Sequence, residues 1–117
     1  MIMHIKNLRL RTITGIKDWE RKDLQDIVIN VAIEFDGTKA AETDDVANSI
    51  NYRTITKRII SEVETSRFHL LDKLASHILQ VVLENEKVKK ATVEVDKPHA
   101  LRFADSVSVT CSGERKS

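Results

Sequence analysis

Asp26-Ile27-Val28-Ile29-Asn30-Val31-Ala32-Ile33-Glu34-Phe35-Asp36 decides the fold. Ile27, Ile29, Val31, Ile33 and Phe35 recur at every second position, the period of a strand with one face buried. Asp36-Gly37 then breaks it, because both residues favour a turn. Upstream, Leu8 and Leu10 alternate with Arg9 and Arg11, which predicts a first strand over residues 5–16, with Gly15 marking a bulge or bend. Arg9 and Arg11 therefore lie opposite the core face, turned either to solvent or to a channel. Residues 17–25 are polar and charged, a loop that carries Trp19 and joins the two strands into an antiparallel hairpin.

Downstream the period changes. Asn51 suits a helix cap, and Tyr52, Ile55, Ile59, Ile60 and Val63 fall on one helical stripe. Leu71, Leu74, Ala75, Ile78, Val81 and Val82 form a second stripe. Only Ser66-Arg67-Phe68-His69 separates the two, so the helices are expected to be antiparallel neighbours. Val93 and Val95 then alternate with Glu94 and Asp96, and Val107, Val109 and Cys111 with Ser106, Ser108 and Thr110, giving a third and a fourth strand. The order ββααββ predicts an α+β domain of two layers, four antiparallel strands with both helices on one face. Such a sheet leaves two open edges, so a ring of subunits whose sheets close into one barrel is expected.

Bulk composition narrows the function. A chain of 117 residues suits one domain, and 41% hydrophobic residues supply a real core. Acidic and basic residues nearly cancel, at a formal charge of +1, which argues against a dedicated nucleic-acid binder. No apolar run is long enough to span a membrane, and residues 1–6 lack an export signal, so a cytoplasmic protein is expected. Cys111 is the single cysteine; it fits a reducing compartment, and its apolar alternation reads as a core position rather than a nucleophile. The four histidines and the lone cysteine are too scattered for a zinc site.

Lys97-Pro98 is the place where chemistry is expected. Proline cannot donate to a ladder, so the third strand must stop there and hold Lys97 at a sheet rim, beside His99 and Arg102. On pattern alone the plainer reading, a solvated strand-end lysine, comes first.

The element order and a series of short motifs resemble the dihydroneopterin aldolase family of the tunnelling fold, which includes the dihydroneopterin triphosphate 2'-epimerases. The carrying stretches are Gly15-Ile16-Lys17-Asp18-Trp19-Glu20, Gln25, Ala41 with Asp44-Asp45, Asn51-Tyr52, Phe68 with Leu70-Leu71-Asp72, and Asp96-Lys97-Pro98. Each is weak alone; in this order and at these separations they cover the chain from about residue 5 to about residue 110. Within the family, Ile5-Lys6-Asn7-Leu8-Arg9-Leu10-Arg11-Thr12, Asn51-Tyr52-Arg53-Thr54-Ile55-Thr56-Lys57 and His99-Ala100-Leu101-Arg102-Phe103-Ala104-Asp105-Ser106-Val107-Ser108 look like the epimerase branch. Asp18-Trp19-Glu20 looks more like the aldolase proper.

The resemblance implies a reaction without metal or cofactor on a small pterin substrate. The dihydropterin's own N5=C6 imine accepts the electrons when the 2'-hydroxyl is deprotonated and the C1'–C2' bond breaks. Release of glycolaldehyde is the aldolase outcome, and re-addition with inverted C2' the epimerase outcome. The implied catalytic residues are Lys97 for acid–base and electrostatic work, Glu20 orienting hydroxyls or water, and Tyr52 against the pterin. Implied substrate contacts are Asp72 at the pterin edge, Leu71, Ile50, and His99 and Arg102 toward a triphosphate. Asp72 stands where the family usually has the longer glutamate. Glu20 read alone is a solvated loop carboxylate, Tyr52 a core aromatic at a helix start, and Asp72 a residue favoured by the helix dipole. The resemblance further implies a homo-octamer of two stacked tetrameric rings with sites between subunits. The cyclohydrolase-like and synthase-like members of the same fold need a His/Cys metal site. A pterin- or purine-binding ring without turnover is the reading that Asp72 favours.

Overall fold

A computed structural model of the chain describes residues 1–15 and 23–115. Four strands, β1 (Ile2–Thr12), β2 (Gln25–Glu34), β3 (Lys90–Pro98) and β4 (Ser106–Glu114), form one antiparallel sheet in sequence order, so β1 and β4 are its edges. Between β2 and β3 lie α1 (Thr38–Thr43), a single tight turn at Val46–Asn48, α2 (Tyr52–Glu64) and α3 (Leu71–Leu83). The expected two-layer ββααββ domain is thus present, with two short additions after β2.

The alternation in β2 builds the core. Ile27, Ile29, Val31 and Ile33 are all buried, as are Val93 and Val95 of β3 across the ladder. Ile55, Ile59 and Val63 of α2 and Leu74, Ile78 and Val82 of α3 cover that face. Burying a side chain of this size contributes about 1.5–3 kcal/mol each. The opposite sheet face, bearing His4, Lys6, Arg9, Asn30, Thr92 and Glu94, has no layer over it from the described residues.

The helices are antiparallel. Arg58 of α2 reaches Glu84 just past the end of α3 at 3.1 Å, and Glu62 meets His77 at 3.2 Å. The His77 hydrogen bond, and then that from Arg58, hold the Glu62 carboxyl below the usual carboxylate range.

Asn51 caps α2 as expected: its side-chain oxygen accepts from the Arg53 and Thr54 amides at 3.1 and 3.2 Å. Asn51→Ala leaves those amides unpaired and is expected to cost about 1 kcal/mol, read as a Tm lower by a few degrees. An unchanged Tm would show that solvent serves those amides equally well.

Two expectations shift. β1 ends at Thr12 rather than at residue 16, because the buried Thr12 hydroxyl donates to Val63 O at 2.8 Å and ties the strand end to the end of α2. The bulge lies between Ile5 and Leu8, where Asn7 takes φ 52° and its amide donates to Asn30 Oδ1 at 2.9 Å. Gly15 instead serves a close connection: at φ 121°, which side chains disfavour, it donates to His69 O at 3.2 Å.

Candidate functional site

Antiparallel topology gives the domain two poles. At one, β1 and β3 end while β2, β4 and α3 begin. At the other, β2 and α3 end and α2 begins.

The first pole holds most of the expected site. Lys97 is the penultimate residue of β3, pairs with Val107 and is half-buried. Strand alternation with Val93 and Val95 places it on the helix-covered side. Pro98 is the last strand residue, as its missing donor requires. His99 follows at φ 61°, an uncommon backbone for a non-glycine residue, and its amide donates to Asp105 O at 3.4 Å across the connection to β4. Arg102 lies in that connection with its guanidinium 5.5 Å from the Phe103 ring centre. Leu71 and Asp72 open α3 at the same pole: Leu71 packs partly against the core, and Asp72 is exposed in the first turn. The Gly15–His69 hydrogen bond brings the start of the connection after β1 to this pole as well. Glu20 lies outside the described residues.

The second pole holds Ile50 and Tyr52. Ile50 is buried, whereas Tyr52, the first residue of α2, is 52% exposed and not the core aromatic that its stripe allows. Both line a cavity of about 940 Å3 with Met3, Val46, Arg53 and Lys87. The Lys87 ammonium donates to Ala47 O and to Ser49 O, fixing the turn that precedes Ile50. The poles are separated by the 13 residues of α3, about 20 Å at helical rise. One chain therefore brings Lys97, Leu71, Asp72, His99 and Arg102 to one end and holds Ile50 and Tyr52 at the other.

Arg9 and Arg11, whose direction the alternation leaves open, project from the uncovered sheet face. With Asp26, Val28, Pro98 and His99 they line a further cavity of about 540 Å3, on the other side of the rim from Lys97. Arg11 pairs with Asp26 at 3.1 Å. The expected core position of Cys111 is partly realised: it packs against the core half-buried, and burial pushes its thiol up, away from the reactive thiolate. Among the described residues no three of His, Cys, Asp or Glu gather as a metal-binding group.

A twisted ββααββ layer pair with a lysine at the sheet rim and a carboxylate at the neighbouring helix start is a tunnelling-fold domain. The structure of Escherichia coli dihydroneopterin aldolase in complex with neopterin superposes on it with a TM-score of 0.92, at 30% identity, covering 97% of this chain and 98% of that one. The dihydroneopterin aldolase (FolB) family matches residues 3–112, and the chain belongs to that family. It is 53% identical over 114 residues to the dihydroneopterin triphosphate 2'-epimerase of Escherichia coli K12, spanning 97% of this chain and 95% of that protein. Against the dihydroneopterin aldolase of the same organism the identity is 32% over 108 residues, spanning 92% and 88%. The epimerase-like stretches quoted above, at residues 51–57 and 99–108, thus point the same way as the whole chain.

Proposed function

We propose that this protein is a dihydroneopterin triphosphate 2'-epimerase that also cleaves dihydroneopterin. The observation that carries the reading is the identity to an epimerase, 53%, against 32% to an aldolase of the same organism, both over nearly the full chain.

In this reading Asp72 accepts hydrogen bonds from the 2-amino and N3 groups of the pterin, and Leu71 adds backbone contact. The Asp72 position at an open helix start supports this, with its shorter side chain reached by a deeper ring or a bridging water. Lys97 stands over the side chain and moves the 2'-hydroxyl proton, with Glu20 orienting the hydroxyls. The C1'–C2' electron pair flows to the imine and forms an enamine, and glycolaldehyde (or its phosphorylated counterpart) is held as the leaving aldehyde. Rotation of the aldehyde, attack by C1' and return of the proton give the inverted alcohol. A rigid strand end suits this role, since the acid–base group must keep its place through cleavage and re-addition.

Tyr52 closes the site from a second subunit. Two facts support that: among the described residues β1 and β4 have no strand neighbour on their outer sides, and Tyr52 and Ile50 lie at the pole away from Lys97. The assembly is a ring in which sheet edges join, two tetrameric rings making an octamer. The lone Cys111 suits the cytoplasm.

Incubation with dihydroneopterin triphosphate and with dihydroneopterin, followed by chromatography of the pterins, tests the reading. The triphosphate is expected to yield its C2'-inverted isomer, and dihydroneopterin a slower release of 6-hydroxymethyl-dihydropterin. Cleavage without inversion would assign the chain to the aldolases, as Asp18-Trp19-Glu20 suggests. Binding without either product would leave a non-catalytic pterin-binding ring.

A further inference from the structure

On the uncovered sheet face, which also bears Lys6, two arginines share one cavity behind the Lys97 rim. Of its lining groups, Arg11 is neutralised by Asp26 at 3.1 Å. Arg9 is exposed and makes no hydrogen bond or ion pair with any described residue. His99, the residue after β3, takes φ 61° and lines the same cavity. Asp96, the carboxylate on the adjoining strand, does not line this cavity.

Register fixes the reach. Arg9 lies opposite Val28, and Val28 opposite Asp96, the residue before Lys97. Arg9 therefore stands two strand spacings from β3, about 9.5 Å in the plane of the sheet at the usual separation, and its side chain leaves on the face opposite Lys97, so the two communicate only round the rim at Pro98 and His99. A triphosphate is the part of the substrate long enough to leave the Lys97 side and turn round that rim, where Pro98 and His99, the residues next to Lys97, line the Arg9 cavity. A guanidinium with no carboxylate partner among the described residues, at the wall of a cavity large enough for a polyphosphate, is a site built for an anion. Its planar fork matches phosphate oxygens two at a time.

We propose that Arg9, assisted by His99, forms a polyphosphate subsite that receives the 3'-triphosphate of the substrate while its C2' stays at Lys97. The identity of the substrate rests on the epimerase reading above; the anion site does not. Arg9 is the specificity-determining residue, because it separates the triphosphate from the otherwise identical dihydroneopterin.

The test compares kcat/KM for dihydroneopterin triphosphate with that for dihydroneopterin, in the wild type and in Arg9→Ala and Arg9→Gln; the second variant keeps most of the side-chain length in case the first folds poorly. Removing a charge-assisted hydrogen bond that only the triphosphate makes is expected to lower the ratio of the two values by about tenfold or more. A ratio within twofold of the wild type overturns the subsite. If the wild type turns over neither pterin, the epimerase reading fails, and calorimetry with inorganic tripolyphosphate decides the subsite by itself. Binding weakened tenfold or more in both variants upholds it, and binding that is absent or independent of Arg9 overturns it.

Discussion

Lys97→Ala is expected to lower kcat on dihydroneopterin triphosphate by roughly 10²–10⁴-fold, the usual contribution of a positioned acid–base group. The fold should survive, because Lys97 is only half-buried and the neighbouring Val93 and Val95 carry the core packing of β3. Thermal denaturation and gel filtration check that directly. Lys97→Arg is expected to be almost as slow: a guanidinium keeps the charge but stays protonated at working pH, so it cannot accept the hydroxyl proton. A Lys97→Arg enzyme near wild-type turnover would show that the residue supplies charge alone. An unchanged kcat in Lys97→Ala would remove the lysine from the chemistry.

Mixing inactive chains is expected to create activity. Lys97 and Tyr52 occupy opposite poles of one subunit, so a site that uses both must take them from two. Lys97→Ala and Tyr52→Ala assemblies, each nearly inactive, should recover about a quarter of wild-type turnover when refolded together in equal amounts, since random assembly joins an intact Lys97 to an intact Tyr52 at about one interface in four. Tyr52 is 52% exposed, so its loss should leave the subunit folded. If the mixture shows no more than the average of its parents, the site is contained in one chain or Tyr52 is not part of it.

What the sequence reveals follows from where the physical signals lie. β2 and β3 are buried on one face, so period-two alternation announces them, and Pro98 announces where β3 stops. The α2 and α3 stripes and the Asn51 cap are equally direct. α1 is invisible because none of its residues is buried, so no apolar period marks Thr38–Thr43. It is started by local polar chemistry, Asp36 Oδ1 accepting from the Thr38 amide at 3.0 Å. The end of β1 is hidden because Thr12 is buried by a hydrogen bond to Val63 O rather than by an apolar side chain. For the site, strand and helix ends are legible, and Lys97, Asp72, His99 and Arg102 do fall together at one pole. That Tyr52 stands apart is latent in the order of elements. In an up-and-down chain, α2 must start where β2 stops and α3 where β1 stops, so adjacent helix starts fall at opposite poles. The direction of Arg9 is not legible, because alternation gives a face but not what covers it.

The kink at Asn7 bears on which chains this one will accept. It divides the β1 edge into two straight runs, residues 2–5 and 8–12, with the Asn7 amide turned inward to Asn30. A flat foreign strand laid along that edge can satisfy one run but loses step at the other, so indiscriminate growth into fibres is penalised. A strand whose own contour follows the kink loses nothing. In the proposed ring, such an edge works as a password, favouring the matching edge of a sister chain over a flat foreign strand.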